Sequence, residues 1–122
     1  MHSPYKGKTR LKHWWNTLGY ALEGLRAAYR HEDAFRMELL AAALAIPLAL
    51  WLPAGNIGKA LMIGSIFLVL LVELLNSAIE ATVDRISLED HDLAKRAKDI
   101  GSAAVLLSIV NALVVWGLIL FS

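Results

Sequence analysis

The apolar positions of this chain form three long runs and one narrow stripe. The first run is AFRMELLAAALAIPLALWL, residues 34–52. The second extends from Ala60 to about Val83. The third is GSAAVLLSIVNALVVWGLILF, residues 101–121, and carries no charge. At a helical rise of about 1.5 Å per residue the first run reaches about 28 Å, enough to cross the hydrocarbon core of a bilayer. All three are predicted as transmembrane helices. Pro47 is expected to kink the first, which a neighbouring helix can accommodate. Pro53, Gly55, Asn56 and Gly58 are expected to form the turn into the second.

The stripe precedes these runs. Leu11, Trp14, Trp15, Leu18, Leu22, Leu25 and Tyr29 fall on one face at 100° per residue, with Lys12, His13, Asn16, Glu23 and Arg30 elsewhere. This predicts an amphipathic helix over about 10–30, lying in a membrane interface with its tryptophans at that depth. The fold class expected is therefore all-α: three spans and an interfacial N-terminal helix.

Charge orients the spans. Lys6, Lys8, Arg10, Lys12, Arg26, Arg30 and Arg36 precede or open the first span, and Arg85, Lys95, Arg96 and Lys98 lie between the second and third. The first-to-second turn has only Lys59. The positive-inside rule then expects a cytosolic N-terminus and an outside C-terminus. Other functions are excluded more simply. At 57% hydrophobic residues and a mean hydropathy of +0.53 the chain is too apolar for an ordinary soluble domain. A net charge of +1 argues against a nucleic-acid partner. With no cysteine, disulfides and thiolate metal sites are ruled out. No compact apolar h-region opens the chain, so no cleaved signal peptide is expected. At 122 residues it has room for one domain, taken as 1–122.

The second run carries the chemistry. Glu73, Asn76, Ser77, Glu80 and Asp84 share one helical face. A carboxylate at mid-membrane costs about 2.5–3.5 kcal/mol on insertion scales, so such residues usually face a polar cavity and serve a function. The plainer reading is that these acids pair with Arg85, Lys95 or Arg36 and only hold the bundle together. Clustered carboxylates with an amide oxygen are hard ligands suited to Mg²⁺. Glu32 can join them, although Arg36 at i+4 offers it a helix salt bridge. Phosphoryl transfer needs such a set, with a lysine against nucleotide charge, and Lys98-Asp99 stands in the right layer. No phosphate-binding glycine-rich loop is present. A non-catalytic ion- or proton-conducting bundle with Glu73 and Glu80 as relays fits the same residues. His13, His31 and His91 show no metal-ligand spacing. Trp51 and Trp116 read as interfacial anchors, and Ser102 reads equally as a packing residue or a ligand.

The stretch ELLNSAIEATVD, Glu73 to Asp84, resembles the signature of the prokaryotic diacylglycerol kinases, integral membrane enzymes that include undecaprenol kinases. GLRAAYRHEDAFRME (Gly24 to Glu38) and RAKDIGSAAVL (Arg96 to Leu106) resemble two further blocks, and the first is closer to the diacylglycerol branch. The resemblance implies a homotrimer in the cytoplasmic (inner) membrane, with sites shared between subunits. It implies ATP-dependent phosphorylation of the primary hydroxyl of 1,2-diacyl-sn-glycerol to phosphatidic acid, with undecaprenol as the alternative lipid. Glu73 matches the general base, with Asn76 orienting it. Glu32 and Glu80 match the carboxylates that hold Mg²⁺ with the ATP phosphates. Lys98 and Asp99 match the nucleotide-contacting pair, and Tyr20, Glu89 and His91 match nucleotide-proximal positions. Arg10 matches a basic residue near the nucleotide if a short gap is allowed before Gly19; otherwise His13 fills it. Arg26, Phe35, Glu38, Glu73 and Ser102 match the lipid-substrate groove. Ala21 stands where the family often has serine, which removes one hydroxyl.

Overall fold

The computed structural model describes residues 10–86 and 91–122, and among these it contains four helices. They are α1 (Arg10–His31), α2 (Asp33–Trp51), α3 (Asn56–Ile86) and α4 (His91–Leu120). The all-helical expectation holds, and α2, α3 and α4 are long and apolar enough to cross a membrane. The chain is thus a multi-pass membrane protein. α3 packs along both α2 and α4, and α1 meets the bundle chiefly through α2.

The buried side chains trace one seam on each helix. On α2 it is Phe35, Ala42 and Ala49; on α3 it is Met62, Ser65, Val69, Glu73 and Asn76. On α4 it is Gly101, Ser108 and Ala112. Spacings of three, four and seven are those of helices packed nearly parallel. Alanine, serine and glycine dominate because helices in lipid gain from close backbone approach, not from hiding apolar bulk. The large apolar side chains point outward, among them Leu44, Phe67, Leu71 and Leu113.

Several boundaries differ from the sequence expectation, for local reasons. α3 begins at Asn56, so Asn56 and Gly58 belong to its first turn and the connection is shorter. Gly58 is there for space: an added Cβ would come within 3.2 Å of Ile119 Cγ2. Lys59 Nζ donates to the Leu50 carbonyl at 2.7 Å, satisfying an end group of α2. α2 runs unbroken through Pro47. α4 starts at His91, before the apolar run begins. The charged stretch His91–Ile100 has no hydrophobic signal, but it is rich in helix formers and carries the i,i+4 pair Lys95–Asp99 at 2.7 Å.

Trp116 is not simply an interfacial anchor. Its indole Nε1–H donates to the Met62 carbonyl at 3.1 Å, tying α4 to α3 at the most deeply buried residue of the seam. Ser65 Oγ donates to the same carbonyl at 2.7 Å. Trp116→Phe keeps an aromatic ring and removes the donor. It should lower unfolding stability in micelles by about 0.5–1.5 kcal/mol, as for one hydrogen bond. Catalytic rate should be unchanged, because Met62 lies about 16 Å along α3 from Glu73. Denaturant unfolding followed by circular dichroism, with an activity assay on the same samples, checks both.

Candidate active site

The polar end of the bundle grows out of its packing seam. Above Val69 the buried stripe of α3 continues in register, but its next members are Glu73 and Asn76, at 4% and 7% exposure. α2 contributes Glu38, half-buried, whose carboxyl lies within hydrogen-bonding reach of Glu73. Asn76 sits one turn beyond Glu73 with its side chain close to the carboxyl. An amide reaches a carboxylate only by donating N–H, which turns its oxygen the other way. Asn76 Oδ1 is indeed buried with no protein partner, and so are Glu38 Oε1 and Ser77 Oγ.

Glu32 and Glu80 complete the group. Both lie close enough to Glu73 for their charges to bear on it. Glu32 is the single non-helical residue between α1 and α2, with φ −117° and ψ 108°. It occupies the N-cap position of α2 but makes no side-chain cap bond. Its expected partner Arg36 turns instead to Asp33 and to the carbonyls of Tyr29 and Arg30. Among the described residues no ion pair reaches Glu32, Glu38, Glu73 or Glu80. None of these four makes the expected pair with Arg85, Lys95 or Arg36, and Asp84 pairs instead with Lys98 at 2.5 Å. Carboxylates gathered around a buried one without a cation are expensive. The donor set suits one hard cation: Mg²⁺ takes one or two carboxylates and fills its shell with phosphate oxygens and water. No three His, Asp or Glu side chains among the described residues form a ready-made cage. That fits an ion that arrives with phosphates rather than one held by protein alone.

The remaining candidates are spread around this centre. Lys98 bridges α4 to α3 through Asp84 and lies near Glu80, while Asp99 is engaged by Lys95. Phe35 is closed inside the chain at 2% exposure. Ser102 is exposed on α4. Arg26 is exposed and pairs with Glu23 at 3.0 Å. Tyr20 is exposed on α1, and Arg10 opens that helix. Glu89 and the His91 side chain lie outside the described residues. Below Glu38 an apolar cavity of about 260 Å³ runs between the spans, lined by Ala41, Ala45, Val69, Leu70 and Ile109. A neighbouring chain is not needed to hide Glu73 and Asn76, since α2 and α4 already enclose them; Asp84 stays open.

The comparisons with known proteins bear on this site directly. The sequence profile described as Prokaryotic diacylglycerol kinase matches residues 19–120. The chain belongs to the prokaryotic diacylglycerol kinase family. It is 53% identical over 104 residues to the diacylglycerol kinase of Escherichia coli K12, covering 85% of each chain. It is 52% identical over 118 residues to that of Pseudomonas aeruginosa, covering 97% of this chain and 96% of the relative. With that of Haemophilus influenzae it shares 48% over 113 residues. The matched region holds every residue of the carboxylate group and both helices that enclose it.

One residue of this prokaryotic diacylglycerol kinase site escapes the sequence pattern. Gly101 reads there as the first residue of a span; in the structure it lies inside α4 and faces Asn76. A Cβ built there would overlap Asn76 Oδ1 and stand 3.2 Å from Asn76 Cγ. The one signal is a glycine within an otherwise helix-forming stretch. Gly101→Ala should displace the Asn76 amide, at an overpacking cost of about 1–3 kcal/mol. The expected result is a fall in turnover of about 10-fold or more with helix content unchanged, read by steady-state assay and circular dichroism.

Proposed function

We propose that this chain is an integral membrane lipid kinase over 1–122, transferring the γ-phosphoryl group of ATP to the hydroxyl of 1,2-diacyl-sn-glycerol. The product is phosphatidic acid, which places it in lipid recycling and phospholipid metabolism. The observation that carries this reading is the buried Glu73 with the half-buried Glu32, Glu38 and Glu80 around it and no ion pair on any of them among the described residues, in a chain whose relatives are named diacylglycerol kinase.

Glu73 is the general base. Its carboxylate takes the proton as the lipid oxygen attacks the γ-phosphorus and the bond to the bridging oxygen of ADP breaks; such a base contributes about 10²–10⁴-fold. Asn76 holds that carboxylate through its N–H, and Gly101 leaves room for the amide. Glu32 and Glu80 hold Mg²⁺, which when bound neutralises charge developing on the phosphates. Lys98 and Asp99, with Arg10, Tyr20, Glu89 and His91, contact the nucleotide. Glu38, Arg26 and Ser102 line the lipid side of the site with Phe35 packed behind them, and the apolar cavity below Glu38 supports the part assigned to Glu38. α1 lies in the cytosolic interface through its Leu11–Tyr29 stripe, where Trp14 and Trp15 are exposed. The N-terminus is cytosolic and the C-terminus outside, from the basic residues before α2 and between α3 and α4.

The chain works as a homotrimer with shared sites. A Lys98–Asp99 pair engaging the nucleotide opposite Glu73 comes on this reading from a neighbour.

Purified protein in mixed micelles with labelled ATP and Mg²⁺ should label diacylglycerol. Label on undecaprenol alone would change the lipid, and label on neither would leave an ion-conducting bundle. Glu73→Gln keeps hydrogen bonding but cannot accept the proton. It should cost at least about 10²-fold in turnover with nucleotide affinity nearly unchanged. Co-reconstituting Glu73→Gln with Asp99→Asn, each inactive alone, should restore a sizeable fraction of activity. Mixed trimers that stay inactive would show self-contained sites.

A further inference from the structure

α1 and α2 meet with only Glu32 between them. Its backbone is held from both sides: Glu32 N–H donates to Ala28 O at 2.9 Å, and Arg36 N–H donates to Glu32 O at 3.2 Å. The last carbonyls of α1 would otherwise be orphaned, as at any helix C-terminus. Two of them are taken by one side chain. Arg36 Nη1 donates to Tyr29 O at 2.7 Å and to Arg30 O at 3.0 Å, while Nη2 bonds Asp33 in the first turn of α2. The guanidinium therefore straddles the junction, bonded to the end of one helix and the start of the next. Its charge suits the negative end of α1, and Asp33 suits the positive end of α2.

We propose that Arg36 is a positioning residue: its guanidinium fork fixes the α1–α2 elbow and so holds Glu32 where it can bind the metal. This rests on the reading of Glu32 as a Mg²⁺ ligand. Glu32 has no side-chain cap bond of its own to set its direction. It lies where a helix that meets the bundle chiefly through α2 joins a span, so the elbow bears directly on where its carboxylate stands. A planar fork with donors on two nitrogens can serve carbonyls and carboxylate together. A lysine ammonium keeps the charge but is a point donor on a flexible stem. Arg36→Lys therefore separates a geometric role from an electrostatic one.

The test compares wild type with Arg36→Lys, Arg36→Gln, Asp33→Asn and Glu32→Gln. The first readout is Mn²⁺ binding, by electron paramagnetic resonance, with a non-hydrolysable ATP analogue present. The second is the distance between spin labels at Lys12→Cys and Met37→Cys, with labelled chains diluted into unlabelled protein. Because the chain has no cysteine, only those two sites take label. Both Arg36 variants should weaken Mn²⁺ binding by about 10-fold or more, as loss of a residue that orients a metal ligand does. Both should also broaden the distance distribution. Asp33→Asn should stay within about twofold of wild type, since an exposed i,i+3 pair contributes little. Wild-type Mn²⁺ binding and distance in both Arg36 variants, or full rescue by lysine, would overturn the proposal. Weakened binding in Glu32→Gln beside unaffected Arg36 variants would remove the positioning role and leave Glu32 as ligand. Unchanged binding in Glu32→Gln would remove the metal reading and this proposal with it. If Arg36→Gln fails to fold, Arg36→Lys carries the test.

Discussion

A carboxylate in the packing seam of a membrane helix constrains everything around it. Glu73 occupies the position after Val69 where another small apolar residue would let α2 and α4 close. It is nearly inaccessible, stands against Glu38, and has no cation partner among the described residues. Three features follow. The amide of Asn76 is held against Glu73 by a contact with α4 so close that only glycine fits opposite it. The remaining acids, Glu32 and Glu80, cluster near Glu73, so the charge problem is concentrated at one point and one divalent ion can answer it. The lysines, by contrast, are kept to the periphery on Asp84 and Asp99 and do not pair with Glu73.

The rest of the bundle is arranged to tolerate this. Hydrophobic burial between helices is of little use in lipid, and the seam is accordingly small: alanines on α2, serines on α3 and α4, and Met62 as its one large fully buried side chain. Buried hydroxyls are absorbed locally, with Ser65 bonded to Met62 O and Ser108 to Val105 O. The end remote from the acids is secured by polar ties, Trp116 to Met62 O and Lys59 to Leu50 O. The bundle is firm at that end and hydrogen-bond deficient around Glu38, Asn76 and Ser77.

Much of this is legible in the sequence because its signals are strong ones. Three apolar runs and one stripe predict four helices, and the acidic face of α3 is visible from residue spacing alone. What is not legible has common causes. Charged residues that form a helix give no hydropathy signal, so the apolar pattern starts α4 too late at its N-terminal end and leaves Lys98 and Asp99 outside it. A glycine that serves proximity looks like one that serves flexibility, so Gly101 reads as a boundary. Local spacing offers each residue several partners. Arg36 could bond Glu32 at i+4, and only the three-dimensional elbow shows that it bonds the carbonyls of α1 instead. Residue type alone puts Trp116 at the interface, because a hydrogen bond to a residue 54 positions away leaves no trace in local pattern.

The Asn76–Gly101 contact also acts as an index mark between two antiparallel rods. One turn from Asn76 along α3 is Glu80, and about one turn from Gly101 in the opposite chain direction is Lys98. Because α4 can meet Asn76 only at its glycine, the height of Lys98 relative to Glu80 is set by counting residues from that point. At the far end Trp116 against Met62 O and Gly58 against Ile119 hold the same register. Inserting one residue between Lys98 and Gly101 would swing Lys98 by about 100° off the acidic face while leaving the apolar packing beneath untouched. The site's dimensions are thus written in residue number on either side of a single crossing, and insertions are tolerable only outside that interval.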